Sequence, residues 1–178
     1  RANGIPPVDD PALEAALDSV SLKLDGDSVL LNGEDISDAI RSPVTDSIVS
    51  AYAALPSLRK RLLSIQRDQV GFGPLIADGR DMGTVVFPGA PLKVFLTASP
   101  AERAERRHKQ LISKGISATL PSLRADLEAR DARDSSRIAS PLKPAQDARL
   151  LDNSDLSIEE SADLVLRWWQ DKQPFGAH

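Results

Sequence analysis

The sequence predicts an α/β fold: a parallel sheet flanked by helices, with a small antiparallel β insertion near its start. Three observations carry that prediction. Short apolar runs at 75–77, 92–96 and 148–154 alternate with helical patterns, the order a parallel sheet requires. Two helix starts are marked by a serine three residues ahead of a glutamate, Ser99 to Glu102 and Ser157 to Glu160. Val20, Leu22 and Leu24 alternate with polar residues up to Asp25-Gly26, which reads as a hairpin.

In chain order, a proline-rich opening (Pro6, Pro7, Pro11) leads to a short helical pattern at Leu13, Ala16 and Leu17. The alternating run follows, then Val29-Leu30-Leu31 and Asn32-Gly33. From Pro43 to Gln69 the pattern is helical, with a break before Pro56, where proline removes a helical donor and restricts the preceding residue. Leu58, Leu62 and Ile65 form an apolar stripe on the second part. Leu75-Ile76-Ala77 reads as a first buried strand and "LKVFL" (92–96) as a second. Ser99-Pro100 opens a helix that should stop at Gly115; a further helix is expected over 121–135. "ARLLDNS" (148–154) is the third strand, and a last helix runs from Ser157 through Trp168. The tail after Gln170 is expected to fray.

Bulk properties narrow the function. The chain has 178 residues, enough for one sizeable domain with a small appended lobe. It contains no apolar run of membrane-spanning length, and no signal-peptide pattern opens it. With no cysteine and only His108 and His178, thiolate metal sites, a histidine zinc cluster and a histidine-dependent triad are disfavoured; no metal ligand set is expected. A reducing compartment, the cytoplasm, is the expected location. His108 reads as a surface helix residue, and of the adjacent Trp168 and Trp169 at least one should pack inward. The net charge of −4 argues against a nucleic-acid partner. Arginine nonetheless outnumbers lysine 15 to 7, and seven arginines fall between Arg103 and Arg137. Guanidinium groups grip phosphate in a bidentate fork, so the cluster suits a small phosphorylated ligand.

Two constellations could hold such a ligand. "IADGRDMGTVVF" (76–87) places Asp78, Arg80 and Asp81 just beyond the carboxyl end of an expected strand, where ligands bind in parallel sheets. Arg80 could reach a phosphate, Asp81 could accept from a base amine or another arginine, and Asp78 could sit in the water shell of a magnesium ion. The stretch reads equally as a polar loop whose charges neutralise one another. The second set is Arg103, Arg106 and Arg107 with Arg130, Asp131, Arg133, Asp134 and Arg137. Helical spacing lets the first three share a face, and Arg130, Arg133, Asp134 and Arg137 another. Charge pattern alone favours a solvated, salt-bridged surface. Ser50 and Arg59 are weak signals on their own.

In one register over roughly 13–168, the chain resembles the bacterial cytidylate kinases. "LIADGRDMGTVVFPGAPLKVFLTASPAERAERRHKQL" and "LEARDARDSSRIASPLKPAQDARLLDNSDLSIEE" carry the resemblance, with the earlier "LNGEDISDAIRSPVTDSIVSAYAALPSLRKRLLSIQRD". The resemblance implies a P-loop-type nucleoside monophosphate kinase that moves the ATP γ-phosphoryl group to CMP or dCMP with Mg²⁺, as a monomer. By motif position it implies that Ser50, Arg59, Arg80 and Asp81 belong to the CMP site. Arg137 would reach the substrate phosphate and Asp134 the pentose. Arg130, Arg103 and Arg107 would belong to a lid over the phosphates, with Arg130, Arg137 and Asp78 nearest the chemistry. It also implies a CMP-binding insertion at 18–48, a core at 49–98 and 146–170, and a lid with flanking helices at 99–145.

One departure stands out. G-x-x-x-x-G-K-[ST], whose amides and lysine cradle phosphates, does not occur in the sequence. The resemblance places that loop, with the first strands of the sheet, ahead of Arg1, and the one methionine is Met82. A truncated record is therefore expected, and these residues alone should neither phosphorylate CMP nor fold tightly. The other readings are a UMP/CMP kinase, a non-catalytic pyrimidine nucleotide-binding remnant and, more weakly, an RNA binder. Acidic charge and the lack of a basic aromatic platform count against the last.

Overall fold

A computed structural model describes residues 4–26 and 28–172, apart from the side chains of residues 25, 43, 46, 47 and 50. The chain divides into two compact units: residues 1–78 with 137–140, and residues 79–136 with 141–178.

Among its described residues the first unit holds three α-helices and the antiparallel insertion. Helix α1 (Pro11–Asp18) begins at Asp10, whose side chain accepts from the Leu13 amide; it lies against α3, and Leu13 is its buried residue. Strands β1 (Leu22–Asp25), β2 (Ser28–Leu31) and β3 (Glu34–Asp35) pair in that order, Leu22 opposite Leu31 and Leu31 opposite Glu34. The second turn is Asn32-Gly33, with φ of +52° and +84°. Two consecutive left-handed residues match the right-handed twist of the flanking strands, which is why Asn-Gly belongs there. The Asn32 side chain also accepts from the Ser21 amide at 2.7 Å.

Helices α2 (Pro43–Tyr52) and α3 (Pro56–Asp68) are separated by the break expected before Pro56. Each carries proline in its first turn, where the missing N–H costs nothing. Residues 75–77, expected as a buried strand, lie in no ladder, and Ile76 is fully exposed. A strand owes its stability to a neighbour's hydrogen bonds, and among the described residues none pairs with this run.

The second unit is the α/β part. Strands β4 (Val94–Thr97) and β5 (Arg149–Asp152) pair in parallel, Val94 opposite Arg149 and Thr97 opposite Asp152. Helix α4 (Pro100–Ser113) lies on α5 (Leu120–Ser136), and α6 (Ile158–Gln170) closes the described chain. Ser157 and Glu160 form both halves of the expected capping box. At α4 only half forms. Ser99 Oγ accepts from the Glu102 amide, but the Ser99 amide donates to Ser154 Oγ, and the Glu102 carboxylate takes Arg106 instead. The C-terminus of α4 ends as expected at Gly115 (φ +72°), with Ile116 N–H on Leu111 O and Gly115 N–H on Ile112 O.

Val86, Ala98, Ala104 and Leu151 form the buried centre of this unit. Trp168 is half-buried beneath the Arg149 guanidinium, 5.2 Å from its ring centre, whereas Trp169 is exposed; His108 lies on α4, partly exposed. No described helix is long and apolar enough to cross a membrane. The expected fraying after Gln170 falls, from residue 173 onward, outside the described residues.

Candidate functional site

In the first unit the cationic residues gather around a serine. The first turn of α3 delivers Arg59, whose amide bonds Leu55 O at 3.0 Å. Its Nη1 donates to Ala53 O at 2.9 Å and its Nε to Ser140 Oγ at 3.0 Å. Arg137 Nε donates to the carbonyl of the same serine at 2.7 Å. Ser140 holds φ at +52°, a left-handed conformation uncommon outside glycine and often found at ligand sites. Burial, and secondarily the like charge of Arg137, pull the Arg59 guanidinium below its ordinary pKa. Two guanidinium groups are thus braced on one residue, a donor set of the kind that phosphate accepts from. Ser50 falls on α2, and its side chain lies outside the described residues. Asp78, the last residue of the unit's main span, is exposed.

In the second unit the "GRDMGTVV" segment coils into a single wide turn over 82–86. The Val86 amide bonds Asp81 O at 3.2 Å and the Phe87 amide Met82 O at 2.7 Å, each five residues back. Asp81 O also accepts from Thr84 and Val85, at 3.2 and 2.8 Å. Such π-type turns are rare and occur disproportionately at functional sites. A Cβ at Gly79 would sit 2.9 Å from Met82 Cε, a contact that the flexible end of the methionine can yield to. The turn buries the Asp81 side chain and leaves Arg80 partly exposed, its Nε donating to Asp134 Oδ2 on α5. Asp134 is buried, and its own carbonyl accepts from Leu142 N at 2.8 Å. One turn earlier, Arg130 Nε is buried with no hydrogen-bond partner among the described residues.

Arg103, Arg106 and Arg107, which helical spacing places on one face, each go to different acceptors. Arg103 forms a two-pronged bond with Asp131 on α5, the second prong 3.1 Å from Nη2 to Oδ1. Arg106 clamps Asn153 through its side-chain and main-chain oxygens at 3.0 and 2.7 Å, and also bonds Glu102. Arg107 donates to Gln110 at 2.6 Å. Arg133, expected beside Asp134, is exposed while Asp134 is buried, since consecutive helical residues point about 100° apart.

Within the second unit, then, Arg80 and Asp81 lead into the wide turn, and Asp134 and Arg130 lie on the helix that Arg80 bonds; within the first, Arg59 and Arg137 share Ser140. Among the described residues no group of three acidic or imidazole side chains is disposed to hold a metal ion. Sequence reasoning missed Ser140, Lys93 and Asp147. No motif marks Ser140; for Lys93, a lone lysine opening an apolar strand was the only signal.

A family model described as "Cytidylate kinase" matches residues 1–171. Curated relatives agree. The chain is 48% identical over 171 residues to a protein of Cupriavidus necator named cytidylate kinase, covering 96% of this chain and 77% of that one. It is 47% identical over 176 residues to one of Chromobacterium violaceum with the same name, covering 99% and 79%. A third, from Cupriavidus pinatubonensis, is 52% identical over 150 residues, covering 84% and 68%.

Proposed function

Because the chain belongs to the cytidylate kinase family, we propose that it serves as a nucleoside monophosphate kinase, transferring the γ-phosphoryl group of ATP to CMP or dCMP. The observation that carries the assignment to residues is the Arg80–Asp134 pair beside buried Asp81. A hydrogen-bonding turn and a helix bring two carboxylates and a guanidinium together, the donor and acceptor set that a nucleoside needs.

Phosphoryl transfer asks little covalent work of a protein; rate comes from alignment and from charge neutralisation. Arg59 and Arg137 hold the acceptor's phosphate, with Ser50 beside them in the assignment. Asp81 takes the base amine, Arg80 supports it, and Asp134 takes a pentose hydroxyl. Arg130, whose buried Nε has no protein acceptor among the described residues, is suited to a phosphate oxygen. Arg103 and Arg107 serve the donor phosphates, and for Arg103 this means exchanging Asp131 for phosphate. Asp78 would help to hold a Mg²⁺ ion bound with ATP, and the ion would supply charge neutralisation at the phosphates. Closure of the 99–145 segment excludes water and so limits hydrolysis of ATP. The 18–48 insertion contributes to CMP binding, and 49–98 with 146–170 forms the core. The compact units cut the chain elsewhere, at 78/79.

ADP release by the full-length enzyme, measured with CMP, dCMP, UMP and AMP as acceptors, tests the reading. CMP and dCMP should give the highest kcat/KM, and Arg137→Ala should lower it about a hundredfold or more for CMP. Equal turnover of UMP would move the assignment to a broader pyrimidine kinase. No acceptor-dependent ADP release would overturn it.

A further inference from the structure

Lys93 is a lysine whose side chain is only 8% exposed. Its ammonium group donates to Pro88 O at 2.5 Å and to both carboxylate oxygens of Asp147 at 2.8 Å. Its stem lies under the wide turn: a Cβ added at Gly83 would come 3.2 Å from Lys93 Cδ and 3.4 Å from Cγ. The buried stem thus supports the middle of the turn while the ammonium group ties down the chain just after it. The turn's other anchor is Val86, almost fully buried. Asp81 is held from inside by the amides that converge on its carbonyl. The lysine stem is what is buried here; the ammonium group at its end keeps three acceptors, although the Asp147 carboxylate among them stays 63% exposed.

We propose that Lys93 is a positioning residue for nucleotide recognition: it holds the 82–86 turn in the wide form that aims Arg80 and Asp81, without itself touching the substrate. The inference rests on the reading of Arg80 and Asp81 as nucleotide-holding residues. Recognition geometry is sensitive to shifts of about an ångström, so loosening the turn should act on the acceptor rather than on ATP.

The test uses full-length enzyme carrying Lys93→Met, which keeps the stem and removes the ammonium group, with initial rates measured against both substrates. The expected result is a rise of roughly tenfold in KM for CMP with KM for ATP and the thermal midpoint near wild type. A fall in kcat with both KM values unchanged, or a parallel rise in both, assigns Lys93 a purely structural role and overturns the proposal. So does a wild-type KM for CMP. Should Lys93→Met not fold, Gly83→Ala decides by pressing the stem from the other side, with the same selective rise expected and an unchanged KM for CMP overturning. Asp81→Asn separates the two readings. If it leaves CMP binding intact, the site assignment fails; if it weakens CMP binding while Lys93→Met and Gly83→Ala do not, only the positioning role fails.

Discussion

Arg80 and Asp134, 54 positions apart in the chain, form an ion pair in which the carboxylate is buried and the guanidinium is more than a third exposed. The two ends of this pair are therefore unequal. Replacing Arg80 takes a cation from a buried carboxylate, whereas replacing Asp134 leaves an arginine that water can reach. Arg80→Ala should cost about 2–3 kcal/mol, and Asp134→Ala less, about 1–2 kcal/mol after allowing for solvent screening. Urea titration of both variants checks the order; equal losses would contradict the asymmetry.

The Arg103–Asp131 pair joins α4 to α5 with both side chains about one-third exposed. Its two-pronged geometry raises the Arg103 pKa, the Asp131 hydrogen bond outweighing burial. Partial exposure limits the gain, so a double-mutant cycle with Arg103→Met and Asp131→Asn should give a coupling energy of about 0.5–1 kcal/mol.

Glu160 reports its cap through pH. Hydrogen bonds from the Ser157 amide and then its hydroxyl hold the carboxyl below the ordinary glutamate value of 4.5. A depressed folded pKa means the unfolded chain binds the proton first, so the stabilisation is full above the unfolded pKa and disappears as pH falls through the folded one. Denaturation from pH 6 down to pH 3 should show wild type converging on Glu160→Gln at the acid end. At neutral pH, Ser157→Ala should cost about 1 kcal/mol.

Gly33 sits at φ +84° in the turn between β2 and β3. Alanine there meets no neighbouring atom, so strain in the backbone is the whole effect. Gly33→Ala should lower stability by about 1 kcal/mol, while Gly89→Ala, in open space without a left-handed φ, should change it little.

CMP at a hundred times its Kd should stabilise the folded enzyme by about 2.7 kcal/mol through mass action. With Arg59→Ala at the same CMP concentration the increment should shrink markedly, because the anion loses one of the two guanidiniums braced on Ser140. Thermal melts with and without nucleotide measure it. An unchanged increment would take Arg59 out of the site.

Local signals were legible in the sequence wherever the physics is local. The cap at Ser157, the break before Pro56, the stop at Gly115 and the hairpin around Asp25-Gly26 each rest on a few adjacent residues. What required distant partners was not legible. Residues 75–77 have the composition of a strand but no neighbour in a ladder. Glu102 stands where a capping box needs it, yet Arg106 lies one turn along and competes for its carboxylate. The α4 arginines share a face by spacing, but their long side chains follow acceptors on α5, after β5 and on α4 itself. Of the candidate site, the DGRD stretch and the α5 acids could be picked out as a set. That Arg80 would choose Asp134, and that a buried lysine would support the turn between them, follows only from the fold.

The turn over 82–86 closes hydrogen-bonded rings that reach back five residues rather than four. It thus contains one residue more than ordinary helical winding uses, and that surplus sets the phase of everything on its N-terminal side. Deleting a single residue such as Thr84 would let the coil tighten to the common pitch without opening a gap in the chain. The cost would be rotational: Asp81 would swing by roughly 100° about the local axis, the angle one residue subtends in an α-helix. The segment is therefore indexed like a gear with one extra tooth, and a change in the tooth count turns everything it carries.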